Sequence, residues 1–210
     1  MAYIKWTFRI ILILLVGGFL HYTLPQRDIV RIVNTYEERQ DFGGWNSIFW
    51  SGGSAGTAET PVNRDVLFIS AKRADDSTIV YRNEDTGWGW PPYFKFDTAD
   101  LQAEAADTAS TGDAPRWVAI RHYGWRNTWL SIFPNALSMR PVPGPDTRLI
   151  PWFNIVFLSL LTILCLTIWR LWRNFRQARI DPVFDEIDET ADEARGAISG
   201  FFKRWFGSGT

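Results

Sequence analysis

Residues 152–173 read Trp152-Phe-Asn-Ile-Val-Phe-Leu-Ser-Leu-Leu-Thr-Ile-Leu-Cys-Leu-Thr-Ile-Trp169-Arg-Leu-Trp-Arg173, and everything else in the chain is arranged around them. No charge occurs from Trp152 to Trp169, a length that crosses the ~30 Å hydrocarbon core of a bilayer as a helix. Trp152 stands at one end and Trp169 with Trp172 at the other, where the two membrane interfaces favour indoles. Arg170, Arg173, Arg176 and Arg179 follow at once. Positive clusters flanking a span are retained in the cytoplasm, so these four arginines are the topology determinants.

A second apolar stretch, Trp6 to Leu24, contains only Arg9 as a charge, one turn inside its start, where a long side chain reaches back to the headgroups. The competing reading is a cleaved secretory signal. Gly17-Gly-Phe-Leu-His-Tyr-Thr-Leu-Pro25 carries no Ala-x-Ala-like cleavage site, which favours a retained anchor. Two spans place both termini on one side. The segments expected are a first anchor at 1–24, an extracytoplasmic β-rich domain at 25–150, a second span at 151–172 and a cytoplasmic tail at 173–210. In a bacterium that describes an inner-membrane protein with a periplasmic domain. Cys165 falls in the second span and reads as a small apolar filler, and Ser159, Thr162 and Thr167 as bonded to their own helix.

Between the spans, 28–37, 64–72, 78–82, 116–123 and 137–140 have strand composition, and Asp97 to Asp107 opens with a capping Asp or Thr and continues as a short helix. The predicted class is α+β. Three strands, a helix and two strands fit an oligonucleotide/oligosaccharide-binding (OB-like) barrel and an open mixed sheet with one covering helix equally well. Gly43 to Thr60 reads as a long loop with Trp45, Phe49 and Trp50 as anchors, and Pro141, Pro143, Pro145 and Pro151 stiffen the return to the membrane.

The composition narrows the chemistry. Lys+Arg number 22 against 23 Asp+Glu, which disfavours a uniformly basic nucleic-acid binder. One Cys and two His leave no disulfide framework and no zinc-ligand spacing, and no phosphate loop or dinucleotide fingerprint occurs. No cofactor and no catalytic residue is therefore assigned, and the expected role is non-enzymatic. Arg82-Asn-Glu-Asp85 reads as a turn with solvated charges rather than a carboxylate pair, and neither His21 nor His122 sits in a catalytic motif.

The anomaly is twelve Trp. Trp88, Trp90 and Tyr93 cluster in Trp88-Gly-Trp-Pro-Pro-Tyr-Phe94, and Trp125 and Trp129 follow His122-Tyr-Gly. Such rings either fill the core of a small domain or form a surface that binds an envelope protein, a glycan or another envelope molecule. In the tail, Phe184, Ile187, Ala191, Ala194, Ile198, Phe201 and Trp205 recur at helical spacing, predicting an amphipathic helix. Phe201, Phe202, Trp205 and Phe206 around Lys203 and Arg204 have the composition of an interfacial anchor for membrane lipid.

Three blocks carry a resemblance: Leu24-Pro-Gln-Arg-Asp-Ile-Val-Arg-Ile32, Tyr81-Arg-Asn-Glu-Asp-Thr-Gly-Trp-Gly-Trp-Pro-Pro-Tyr-Phe-Lys95, and Arg121-His-Tyr-Gly-Trp-Arg126 with Ser131-Ile-Phe-Pro-Asn-Ala136. On these the chain resembles an uncharacterised proteobacterial membrane-protein family, domain of unknown function 1523, over about residues 3–182. The resemblance implies the two-span architecture and no activity, cofactor or catalytic residue.

Overall fold

A computed structural model describes residues 2–41, 63–88, 90–182 and 195 of the 210-residue chain. The Gly43 to Thr60 loop and the predicted amphipathic helix with Phe201, Phe202, Trp205 and Phe206 lie outside the described residues. The chain divides into one unit from Met1 to Asn154 and another from Ile155 to Thr210.

In the first unit, helix α1 (Ala2–Thr23) leads through Leu24 and Pro25 into strand β1 (Gln26–Asp41), followed by β2 (Asn63–Arg73) and β3 (Thr78–Asn83). Helix α2 (Thr98–Thr108) comes next, then β4 (Trp117–Tyr123) and β5 (Asn135–Pro141). The strands close into a barrel in the order β1-β2-β3-β5-β4, so the open sheet is excluded. The long β1 makes closure possible by serving two partners, with Gln26 to Arg31 along β4 and Val30 to Asp41 along β2. The register shifts between Ile32 and Asn34, a bulge that lets one strand bend from the first partner to the second.

The last seam, β3 against β5, has a single parallel pair, Arg82 with Asn135. Side chains extend it. Asn135 Nδ2 donates to the Glu84 carbonyl at 3.0 Å while its Oδ1 accepts from the Glu84 amide at 3.0 Å. These are the two bonds a neighbouring strand residue would supply, so a buried carboxamide stands in for backbone where the strands part. The Arg82 amide also donates to the Pro134 carbonyl at 3.0 Å.

Alternation of apolar and polar positions fills the interior. Val30, Ile32, Ile69, Ala71, Ile79, Tyr81, Val118, Ile120 and Ala136 meet inside, and Leu101 and Ala105, one turn apart on α2, pack on the same cluster. A second cluster is aromatic. Phe68 stacks on Tyr36 at 5.3 Å and meets Phe133 edge-on at 5.1 Å. Each fully buried ring or branched side chain removes enough apolar surface from water to contribute ~1.5–3 kcal/mol.

Helix α2 begins directly after Asp97, a capping position the sequence predicts, but the capping side chain differs. Asp97 makes no side-chain bond to the helix. Instead Asp85 Oδ1 accepts from the Thr98 amide at 3.2 Å and from Thr98 Oγ1 at 2.6 Å. The capping carboxylate comes from thirteen residues upstream, which ties the helix to the end of β3.

In the second unit, α3 (Trp152–Phe175, with its first three residues in the first unit) continues as a wider π-helical turn over Arg176–Ile180. Ser159, Thr162 and Thr167 each donate to the carbonyl four residues earlier, which satisfies their hydroxyls within the helix. The Arg173 guanidinium lies 5.8 Å from the Trp169 ring centre, and Arg176 Nε pairs with Asp181 at 3.1 Å. Arg170 and Arg179 are exposed beside them. Both α1 and α3 are long and apolar enough to cross a membrane, and neither span is buried within the protein.

Candidate functional site

The last four carbonyls of a helix have no partner inside it, and a helix that ends against other structure needs them satisfied. At the end of α1 all four are. The Leu20 carbonyl accepts from the Leu24 amide at 2.8 Å, His21 from Gln26 Nε2 at 2.9 Å and Tyr22 from the Gly124 amide at 2.9 Å. The Thr23 carbonyl accepts from the Tyr93 hydroxyl. Three of these donors belong to the barrel or its loops. The barrel is thereby fixed onto the helix end rather than hung from it.

Gly124 is the pivot of this junction. Its φ is +89°, and a Cβ there would stand 3.6 Å from both the Pro134 Cα and the Tyr22 ring. A Cβ would fit there in ordinary contact, so it is the left-handed backbone that favours glycine.

The aromatic residues singled out by the sequence gather at the same place. Trp90 stacks on Phe19 at 5.6 Å with the rings 15° apart. Trp125 meets Tyr22 edge-on at 5.4 Å and donates its indole N–H to His21 Nδ1 at 2.8 Å. Because an indole is donor only, His21 Nδ1 is the acceptor of this bond. Tyr93 is half-buried on Tyr123, and burial pushes its phenol well above the ordinary range. Trp88, 89 % exposed, packs edge-on against Phe94. Trp129 is 96 % exposed. None of the four tryptophans lies in the core.

Beside the junction opens a cleft of about 330 Å³ whose polar lining is His21, Gln26, Asp28, Arg73, His122 and Arg126. Asp28 is its hub. Oδ2 accepts from the Tyr81 hydroxyl at 2.6 Å and from Arg73 Nη2 at 3.1 Å, and His122 Nε2 lies 3.3 Å away. Burial works to raise the carboxyl, but the contacts from His122 and Tyr81 and the charge of Arg73 outweigh it and hold Asp28 well below the usual carboxylate range. The same burial and the Asp28 charge push the Tyr81 phenol well above its usual range. The ionised carboxylate accepts from Tyr81 and Arg73 and lies beside His122, so strands β1, β2, β3 and β4 meet at this one group. Among the described residues no group of three His, Cys, Asp or Glu is placed to hold a metal ion.

The Arg82-Asn-Glu-Asp85 segment corrects the sequence reading. Only Asp85 is exposed; Arg82, Asn83 and Glu84 are buried. Arg82 Nη1 donates to Glu84 Oε2 at 2.9 Å, and Lys95, also buried, donates to Asn83 Oδ1 and to Thr98 Oγ1 at 3.2 Å. Arg82 and Glu84 pair with each other, while Lys95 and Asn135, from beyond the segment, bond to Asn83 Oδ1 and to the Glu84 backbone and hold it inside. Burial pushes the Lys95 ammonium down to about 8, against the opposing charges of Asp97, Asp85 and Glu84. His122 and Asp28 were likewise not assigned by sequence; nothing local marks a strand His and a strand Asp as neighbours across β1 and β4.

A small closed barrel fixed on the end of an apolar helix, with Trp88, Trp90, Trp125 and Trp129 outside the core, is the class of molecule described. The chain belongs to the family "Protein of unknown function (DUF1523)", whose model matches residues 1–176. It is 35% identical over 158 residues to an uncharacterized protein of Haemophilus influenzae, covering 72% of this chain and 85% of that one. No solved structure matches it. The family match ends before the acidic part of the tail.

Proposed function

We propose that this chain is a two-pass bacterial inner-membrane protein, both termini cytoplasmic, that presents its barrel in the periplasm as a non-enzymatic module binding another envelope protein. Arg170 and Arg173 in the last turns of α3, with Arg176 and Arg179 in the π-helical turn that continues it, support the orientation. The closed five-strand barrel with a helix between the third and fourth strands supports an OB-like reading, and in that fold the loops corresponding to β1–β2 and β4–β5 are binding loops. The β4–β5 loop here carries Trp125 and Trp129.

The observation that carries the reading is how Trp129 is held. Asn127 Oδ1 accepts from the Trp129 and Leu130 amides at 3.0 and 3.2 Å, and Asn127 and Ile132 exchange backbone bonds across the turn. Arg126 braces the far side by donating to the Ile132 carbonyl at 3.0 Å. A rigid turn therefore displays an indole to solvent. A turn whose backbone is already held loses little backbone freedom on binding, and exposed indoles are the kind of anchor that dominates interface energies.

Trp129→Ala is expected to weaken the complex by ~2 kcal/mol or more, about 30-fold, with the melting midpoint unchanged. Co-purification of the full-length protein from mild detergent measures it. A variant that retains every stoichiometric envelope partner contradicts the reading. The OB-like reading also favours an oligosaccharide ligand, and retention of wild type but not Trp129→Ala on a cell-wall glycan column would select that alternative.

A further inference from the structure

We propose that Trp88, Trp90, Phe94, Phe96 and Trp125 seat the barrel in the outer-leaflet interface of the bilayer that α1 crosses, so that lipid, and not a soluble partner, covers this part of the aromatic surface. The proposal deepens the membrane reading above and rests on it. Its first support is continuity. Phe19 lies in the span, and Trp90 is stacked on it while remaining 66 % exposed. The Trp125 ring reaches within 3.8 Å of where a Cβ of Gly18 would stand, one residue earlier on the helix. The apolar surface of α1 thus passes without a break onto the loops of the barrel.

Depth follows from helix geometry. The 22 residues of α1 make a rod of ~33 Å at ~1.5 Å per residue, slightly longer than a hydrocarbon core of ~30 Å. Its last turn therefore lies at the boundary between chains and headgroups. Phe19 is four residues before Thr23, ~6 Å down the axis, and the ring stacked on it shares that level. Because the barrel supplies donors to the His21, Tyr22 and Thr23 carbonyls, its height above the helix cannot drift.

Composition agrees with that depth. Trp88 is 89 % and Phe96 67 % exposed, and Phe94 is exposed beside them, an array of rings that a water-facing loop would leave uncovered. Trp is the residue that interfaces select, since a flat apolar ring with one N–H suits a layer that is half lipid and half water. Tyr93, in the same loop, points its hydroxyl at the Thr23 carbonyl, where a polar tip finds its partner at the helix end.

The experiment uses the full-length protein, one copy per nanodisc of phosphatidylethanolamine and phosphatidylglycerol, in a Cys165→Ser background. A nitroxide is placed in turn through Trp88→Cys, Phe96→Cys, Ala103→Cys on the exposed face of α2 and Leu14→Cys in α1. Collisions with oxygen, which partitions into lipid, are compared with those of a water-soluble nickel chelate. Positions 88 and 96 are expected to shift toward Leu14, with an oxygen-to-nickel ratio several-fold above that of Ala103. Labels at 88 and 96 as open to nickel as Ala103 overturn the proposal while leaving Leu14, and with it the membrane reading, intact. Shielding from both reagents means protein coverage, a second copy or another chain, and also overturns it. If Leu14 itself is open to nickel, the membrane reading falls first. Two sites, both largely exposed, guard against one label disturbing the fold.

Discussion

Replacing Glu84 with glutamine is expected to destabilise the barrel by ~3 kcal/mol, a fall of about 10 °C in its melting midpoint. The side chains are nearly the same size, so the change removes charge and little else. Arg82 is 2 % exposed and keeps its positive charge in a low-dielectric site whose carboxylate, 2.9 Å away, has been neutralised. Loss of one partner of a buried pair is costly because the other cannot regain its hydration. The position also matters mechanically, since the Glu84 backbone is what Asn135 binds to close the seam between β3 and β5. Removing both charges, in Arg82→Met with Glu84→Gln, is expected to recover part of the loss, because the guanidinium that lost its carboxylate is then gone as well. Thermal unfolding in detergent, followed by circular dichroism, measures both. Equal midpoints for wild type and Glu84→Gln would sink this account of the buried pair.

Stability is expected to rise as pH increases from 8 toward about 9.5, by ~1.5 kcal/mol if Lys95 acts alone. In the folded protein burial brings the Lys95 ammonium down to about 8, whereas the unfolded side chain holds its proton to about 10.5. Between those values the unfolded chain binds more protons, and stability climbs with pH wherever that holds. Below pH 8 both states are charged and the full penalty of burying the ammonium is present. Above pH 10 the sign reverses, because Tyr81 and Tyr93 keep their protons in the fold after the unfolded phenols lose theirs. Melting midpoints of wild type and Lys95→Met across pH 7–10 test this. The wild type should show the rise and the variant should be flat up to about pH 9.5; a rise of the same size in both would assign it elsewhere.

The elements were legible because they are local. Runs such as Asp28 to Glu37 and Arg64 to Lys72 bring their own β-branched residues, and each predicted strand overlaps an observed one, with β1 extended at both ends. The start of β5 was not legible, because Asn135 and Ala136 carry no strand pattern. They are buried for reasons outside their segment, Asn135 bonding to Glu84 across 51 residues. Barrel closure was hidden for the same cause, since it rests on one backbone pair and one side chain.

The candidate site divides along that line too. Trp88, Trp90, Tyr93, Trp125 and Trp129 were marked by their number and their glycine- and proline-rich setting, but a sequence does not state whether a ring faces inward or outward. Exposure and the stack of Trp90 on Phe19 decide it. The Asp28–His122–Tyr81 hub left no trace, because strands β1, β3 and β4 each contribute one member and only the barrel brings them together.

The most direct test of the central claim, a barrel held outside the cytoplasm by two spans, is accessibility in intact cells. In the Cys165→Ser background, Ala103→Cys on the barrel's helix and Ser208→Cys in the tail are each exposed to a membrane-impermeant thiol reagent in spheroplasts. Labelling at 103 and protection at 208 until the membrane is opened is the predicted result; protection at 103 with labelling at 208 would contradict the account.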